Sequence, residues 1–165
     1  MKATHIEGFA IRPAVEADTA LVLDFIKALA EYEKLPDQVT ATEEILHDSL
    51  FVRRAAEVII GEYYGEPVCF ALFFHNFSTF QGLPGLYLED LFVKEAYRGH
   101  SFGRCMLAYL AKLAVDRKCG RFEWICLDWN ESALAVYHKL GAIPMDGWTI
   151  QRMEGAPLAA LAQEF

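Results

Sequence analysis

The apolar positions change period several times along the chain, and each change marks an element. Residues 9–12 read as a short strand that Pro13 closes. From about 16 to 32 the spacing turns helical. Leu21, Phe25, Leu29 and Tyr32 share a face, and Glu16 and Asp18 sit in the first turn, at the positive end of the helix dipole. Leu35-Pro36-Asp37 breaks that helix, and a second is predicted over 42–50 with Thr40 or Thr42 as its cap and Glu43 nearby. Three strands follow, over 57–63, 66–77 and 86–93, with turn signals at Gly65-Glu66-Pro67 and Gly82-Leu83-Pro84-Gly85. Residues 94–102 are polar and loop-like. The next helix, over 103–118, places Leu107, Leu110, Ala111 and Ala114 on one face, with Gly120 as its expected C-cap. A strand over 121–127, a short helix over 131–140 ended by Gly141, a strand over 148–153 and a terminal helical turn over 158–162 complete the pattern. The order β-α-α-β-β-β-α-β-α-β is an antiparallel meander leading into a β-α-β crossover, which predicts an α/β fold: a mixed sheet with helices on its faces.

Composition narrows the function. A chain of 165 residues has the length of one domain, and 54% apolar with 23% charged residues gives a folded class. Fifteen Lys and Arg against 23 Asp and Glu leave a net charge of −8, which argues against a duplex-binding face and is compatible with a cationic partner. The most apolar stretch, 68–74, is strand-length and stops at His75 and Asn76, so no membrane span is expected, and the first residues lack a signal-peptide apolar region. Cys69, Cys105, Cys119 and Cys126 form no C-x-x-C pair, and the five histidines complete no zinc spacing. Free thiols in the cytoplasm and no metal site are the expectation.

The chemistry concentrates in Leu88-Glu89-Asp90-Leu91-Phe92-Val93-Lys94-Glu95-Ala96-Tyr97-Arg98-Gly99-His100-Ser101-Phe102-Gly103-Arg104. A strand runs through a glycine-containing loop into a helix N-terminus, where unpaired N–H groups and a partial positive charge suit a pyrophosphate. Gly99 and Gly103 let backbone approach an anion, and Arg98 and Arg104 add charge. Gly103 is followed by Arg104 and Cys105, so this is not a Walker A loop, and the three glycines of a dinucleotide fingerprint are absent. On the loop alone, an ordinary tight turn before a helix is an equal reading.

Arg98-Gly99-His100-Ser101-Phe102-Gly103 resembles the Arg/Gln-x-x-Gly-x-Gly/Ala coenzyme A loop of the GNAT superfamily of N-acetyltransferases. The spermidine/spermine N-acetyltransferase branch is more similar still, over nearly the whole chain. The matching pieces include Ile11-Arg12-Pro13-Ala14 with Asp18, Ala30-Glu31-Tyr32-Glu33, the strand from Leu86 to Val93, and Tyr97-Arg98-Gly99. Trp129-Asn130-Glu131, Tyr137, Gly141-Ala142 and Gly147-Trp148 follow in the same order. One position departs: Ser101 stands where the family has its central glycine. A serine at negative φ still offers its N–H to a phosphate, whereas a positive φ there would lower cofactor affinity.

The resemblance implies the GNAT acyl-CoA N-acyltransferase fold, a mostly antiparallel mixed sheet flanked by helices, with residues 1–165 as a single domain. It implies acetyl-CoA as co-substrate, with backbone groups of Leu91, Phe92 and Val93 pairing with the pantetheine arm. The pyrophosphate would rest on N–H groups of Gly99, His100, Ser101, Phe102, Gly103 and Arg104, beside Arg98, and Asn130, Glu131, Ser132 and Ala133 would line the other side of the arm. Tyr137 matches the tyrosine that protonates the leaving thiolate; a phenol of pKa ~10 holds its proton at neutral pH. Glu89 and Asp90 point to opposite faces of their strand. By similarity Glu89 faces the site and relieves the amine of its proton through water. Tyr32 and Glu33 match the amine-binding wall, with Asp128 as a further carboxylate and Glu123, Trp124 and Ile125 as a substrate-contacting stretch. The implied activity is acetyl transfer to a primary amine of a polyamine, diamine or thialysine-like molecule by direct attack in a ternary complex, in a cytoplasmic homodimer without nucleic-acid or membrane partners. Two alternatives stay open at this point: a peptide or protein amine acetyltransferase, and a catalytically silent acyl-CoA-binding sensor.

Overall fold

The apolar run at 68–74 becomes the middle of a six-stranded sheet covered on both faces. In a computed structural model all 165 residues are described, and they form two units, Met1–Ile125 and Cys126–Phe165. The first unit holds strands β1 (Lys2–Ala3), β2 (Phe9–Pro13), β3 (Glu57–Tyr63), β4 (Glu66–Ser78), β5 (Leu83–Val93) and β6 (Arg121–Trp124), which lie in the sheet in chain order. All neighbours are antiparallel except β5 and β6, which pair in parallel across the helical crossover. Val68, Cys69, Phe70 and Ala71 are wholly buried, which explains the unbroken apolar run: a strand covered on both faces has no polar side to show.

Helix α1 (Thr19–Tyr32) follows a 3-10 turn at Glu16–Asp18. Asp18 does more there than oppose a dipole. Its carboxylate accepts from the Val15 N–H at 2.8 Å and takes Arg12 in a two-pronged grip at 2.6 and 2.9 Å, while Arg12 Nε donates to buried Glu62 at 2.7 Å. This cluster ties β2, β3 and the start of α1 together. Helix α2 (Glu43–His47) is capped by the Thr42 hydroxyl, which accepts from the Ile45 N–H, and runs on into a π turn at Asp48–Val52. Helix α3 is Phe102–Asp116. Val22, Phe25, Leu46 and Leu50 pack with Val58, Ile60, Phe70 and Phe92 on one face of the sheet. The α3 face is closed by Phe102, whose ring stacks on Phe9 at 4.2 Å between centroids. The buried stripe of α1 centres on Val22 and Phe25, with Leu21, Leu29 and Tyr32 at its margin.

Several boundaries differ from the pattern. β1 is too short to leave a periodic signal. Helix α3 ends at Asp116 with Arg117 as its C-cap, and Lys118 after it takes the left-handed conformation at φ 57°; Gly120 is not the cap. Its lack of a side chain serves packing instead, since a Cβ there would meet the Gln81 carboxamide. β6 is four residues rather than seven, because β5 offers it pairing only from Gly85 to Leu88. The second unit holds helices α4 (Glu131–Lys139) and α5 (Gly155–Ala162), and Gly141 at φ 90° ends the α4 region as expected. The strand expected over 148–153 does not form. A strand is defined by its neighbour, and no ladder runs beside these residues.

Candidate active site

β5 is paired on both sides at its start and on one side at its end. Its first part bonds to β6 from Gly85 to Leu88, and beyond Leu88 that edge carries no strand, while the other edge stays paired with β4 as far as Val93. The Lys94 N–H donates to the Val68 carbonyl, so by alternation Phe92 turns its backbone groups to β4, and those of Leu91 and Val93 point away and form an open edge, which an extended amide-bearing chain can complete.

Where the pairing changes, β5 carries a bulge. Leu88 pairs with Phe73 and Asp90 with Leu72, so Glu89 is the extra residue. An extra residue resets the pleat. Leu88 and Asp90, two apart, thereby point to opposite faces, and Asp90 joins Phe92 on the side that packs against α1. Glu89 is exposed. Asp90 lines an open recess of about 300 Å³ with Glu33, Ile26, Leu29 and the 35–41 segment. Burial first, then the charges of Glu89 and Glu33, pushes the Asp90 carboxyl up to about 6. Burial also raises Glu33. Two half-buried carboxylates over an apolar floor favour a cation that brings an alkyl chain with it.

At the other end of β5 the loop gathers aromatic and cationic groups. The Arg98 guanidinium lies over the Tyr32 ring at 4.3 Å, with Phe92 at 5.8 Å, and Arg98 Nε donates to the Val93 carbonyl at 3.2 Å. His100 turns its ring onto Phe102 at 5.5 Å, and its Nδ1 meets the Arg98 carbonyl at 3.1 Å. Gly99 has φ 83° and Ser101 φ 63°, so the loop crosses the left-handed region twice before α3 begins. The serine thus takes the positive φ that costs an L-residue. It is the N-cap of α3, its side chain makes no capping bond, and the amides of Phe102, Gly103 and Arg104 have no acceptor within the helix. Gly103 is less constrained: a Cβ there would sit 3.6 Å from Val93, an ordinary contact. Burial raises the Cys105 thiol, which leaves that residue a packing group.

On β6, the Glu123 carboxylate accepts from Asn76 Nδ2 at 2.9 Å and pairs with Arg121 at 2.8 Å, Trp124 pairs with Leu88, and Ile125 is exposed. Asp128, Asn130, Glu131, Ser132, Ala133 and Tyr137 belong to the second unit. There Asn130 caps α4, its Oδ1 accepting from the Ala133 N–H at 3.3 Å and from the Ser132 hydroxyl at 3.2 Å, and Tyr137 is half-buried on that helix. Within the first unit the structure brings Tyr32, Glu33, Phe92 and Arg98 together, with Asp90 as the member that strand alternation did not single out. The trace it leaves in the sequence is a phase change, from apolar positions 86 and 88 to the run 91–93. No group of three or more His, Cys, Asp or Glu is placed to hold a metal, and no helix is long and apolar enough to cross a membrane.

Known proteins match this arrangement. The model of the acetyltransferase (GNAT) family matches residues 22–142. Thialysine N-epsilon-acetyltransferase of Bos taurus is 37% identical, over 92% of this chain and 96% of its own. The human spermidine/spermine N(1)-acetyltransferase-like protein 1 is 28% identical over 99% of this chain and 25% of its own. An integron cassette protein of V. cholerae has the same fold, with a TM-score of 0.79 at 25% identity over 94% of this chain and 98% of its own. The chain is an acetyltransferase that belongs to the GNAT family, on the branch of the thialysine and spermidine/spermine enzymes.

Proposed function

We propose that the protein transfers acetyl from acetyl-CoA to a primary amine of a small cationic molecule, a polyamine, diamine or thialysine-like compound, by direct attack in a ternary complex. It does so as a cytoplasmic homodimer, with residues 1–165 as one catalytic domain. One observation carries the reading: β5 is an open edge that ends in an amide-rich loop at a helix N-terminus and begins at a bulge beside two half-buried carboxylates.

The fit to acetyl-CoA rests on that edge and loop. Leu91, Phe92 and Val93 bond the pantetheine arm as an added strand. The amides from Gly99 to Arg104 hold the pyrophosphate, and Arg98 swings from Tyr32 to add charge. Asn130, Glu131, Ser132 and Ala133 line the arm. The co-substrate supplies an acetyl group on a thioester, activated for attack by an amine. A backbone N–H near Phe92, on the edge that faces away from β4, polarises the carbonyl oxygen. Glu33 and Asp90 take the ammonium end of the substrate, with Tyr32, Asp128 and the stretch Glu123, Trp124 and Ile125 around it. Glu89 accepts, through water, the proton that the attacking nitrogen must lose. A C–N bond forms as the C–S bond breaks, and Tyr137 gives its proton to the departing sulfur.

The test mixes purified protein with acetyl-CoA and a panel of amines and follows free CoA. Amine-dependent release, highest with diamines, polyamines or thialysine, is expected. CoA binding without release by any amine would leave a binding module and overturn acetyl transfer as the activity.

A further inference from the structure

Arg98 stands at the start of the loop with a charge that no carboxylate takes up. Lys94, four residues earlier, pairs with Glu66 at 3.8 Å, whereas Arg98 forms no such pair. Its partners are a carbonyl and two rings. Nε donates to the Val93 carbonyl at 3.2 Å, and the guanidinium lies over Tyr32 at 4.3 Å with Phe92 at 5.8 Å. Val93 turns its backbone groups away from β4, so this carbonyl is an acceptor that an added strand would use. Arg98 takes one of its two lone pairs and sets the guanidinium against the same stretch of edge. The Arg98 backbone is held on both sides: its N–H donates to the Glu95 carbonyl at 3.1 Å, and its carbonyl meets His100 Nδ1 at 3.1 Å. The side chain is exposed, so it can change partners while the backbone stays in place.

We infer that Arg98 is a specificity latch: it bars the edge of β5 to pantetheine thioesters that lack a diphosphate and yields that edge to coenzyme A. The inference rests on the acetyl-CoA reading above and adds the residue that discriminates among thioesters. A carbonyl and two ring faces hold a guanidinium weakly beside a diphosphate, which accepts charge-assisted, two-pronged bonds. Coenzyme A brings its diphosphate to the amides from Gly99 to Arg104, next to Arg98. The arginine leaves Val93 and Tyr32 for the phosphates, and the edge opens to the arm. Pantetheine alone must displace the same arginine and offers it no anion. Arg98 therefore opposes one ligand and favours the other. A residue that only braced the loop would move both affinities in the same direction.

The test compares the full native chain with Arg98→Ala, using CoA and pantetheine as the two probes in isothermal titration. The variant should hold CoA about 10-fold less tightly and pantetheine roughly 3- to 10-fold more tightly. Turnover should follow the same signs: S-acetylpantetheine gains kcat/KM relative to acetyl-CoA when the arginine is gone. Pantetheine binding that is unchanged, weaker or undetectable in the variant overturns the latch, and so does CoA binding at native strength. The acetyl-CoA reading survives either result as long as the native chain binds CoA. A native chain that does not bind CoA overturns that reading, and the latch with it.

Discussion

The two ends of the open part of β5 have opposite electrostatic character, and it arises by different means. At the bulge, charge is handled by side chains: Glu89 and Asp90 with Glu33, the last two half-buried and both raised. At the loop it is handled by backbone, through amides left unpaired at the start of α3 and a chain path that enters the left-handed region at Gly99 and Ser101. The lesson is that a conservative side-chain change should be felt at the first end and pass almost unnoticed at the second, whereas a change in backbone freedom should do the reverse.

The largest effect falls on a side chain that belongs to neither end of β5, Tyr137 of the second unit, and sets the scale for the side-chain half of the contrast. Tyr137→Phe removes one hydroxyl and keeps the ring. If the phenol is the proton donor, kcat falls by about 10²-fold or more with CoA affinity unchanged. Steady-state rates with a binding titration of CoA check it, and an unchanged kcat removes Tyr137 from that role.

Next comes the recess. Asp90 has its carboxyl pushed up to about 6, so it is neutral below that pH and an anion above it. An ammonium ligand needs the anion. With an amine substrate, kcat/KM should therefore drop as pH falls through about 6, and Asp90→Asn should flatten that limb and lower the rate at pH 8 by roughly 10-fold. Stability moves the other way. A carboxyl raised above its ordinary value in the folded state binds more protons folded than unfolded between about pH 4 and 6. Asp90 thus lowers stability as pH rises through that window, and the Asn variant should lose this dependence in thermal melts. A pH–rate profile identical to the native one would show that the recess does not hold the amine.

The same contrast explains what a reader of the sequence can see. The loop end is legible because backbone requirements leave marks: glycines at fixed spacing, arginines beside them, a helix pattern that starts directly after. The central strands are legible for a similar reason, since a strand covered on both faces is apolar without a break, as Val68 to Ala71 are. The bulge end is not, because alternation assumes one residue per pleat. It sends Glu89 and Asp90 to opposite faces without saying which meets α1, and the inserted residue decides that only once β4 and β5 are paired. The segment 148–153 fails differently. Its residues have strand character, but a strand also needs a neighbour, and nothing local supplies one.

The backbone half of the contrast is tested first at Gly99. At φ 83° any L-residue is strained, so Gly99→Val should weaken CoA binding by about 10-fold, from a cost of about 1–2 kcal/mol, and leave the amine preference alone. Isothermal titration with CoA measures it, and affinity within about twofold of native would show that the loop tolerates another path.

The smallest effect falls on Ser101, where the signs oppose. At φ 63° the serine carries the left-handed penalty of about 1–2 kcal/mol, which glycine would not. Glycine in turn loses more chain entropy on folding, about 0.5–1 kcal/mol. The difference leaves Ser101→Gly more stable by roughly 0.5–1 kcal/mol. The side chain caps nothing in α3, so no bond is lost within the protein. Folding energy and cofactor affinity then separate cleanly: thermal stability rises by a few degrees, and CoA binding tightens slightly or stays the same. A clear loss of CoA affinity would mean that the Ser101 hydroxyl binds phosphate itself, and that side chains contribute at the end of β5 where backbone alone has been assigned the task.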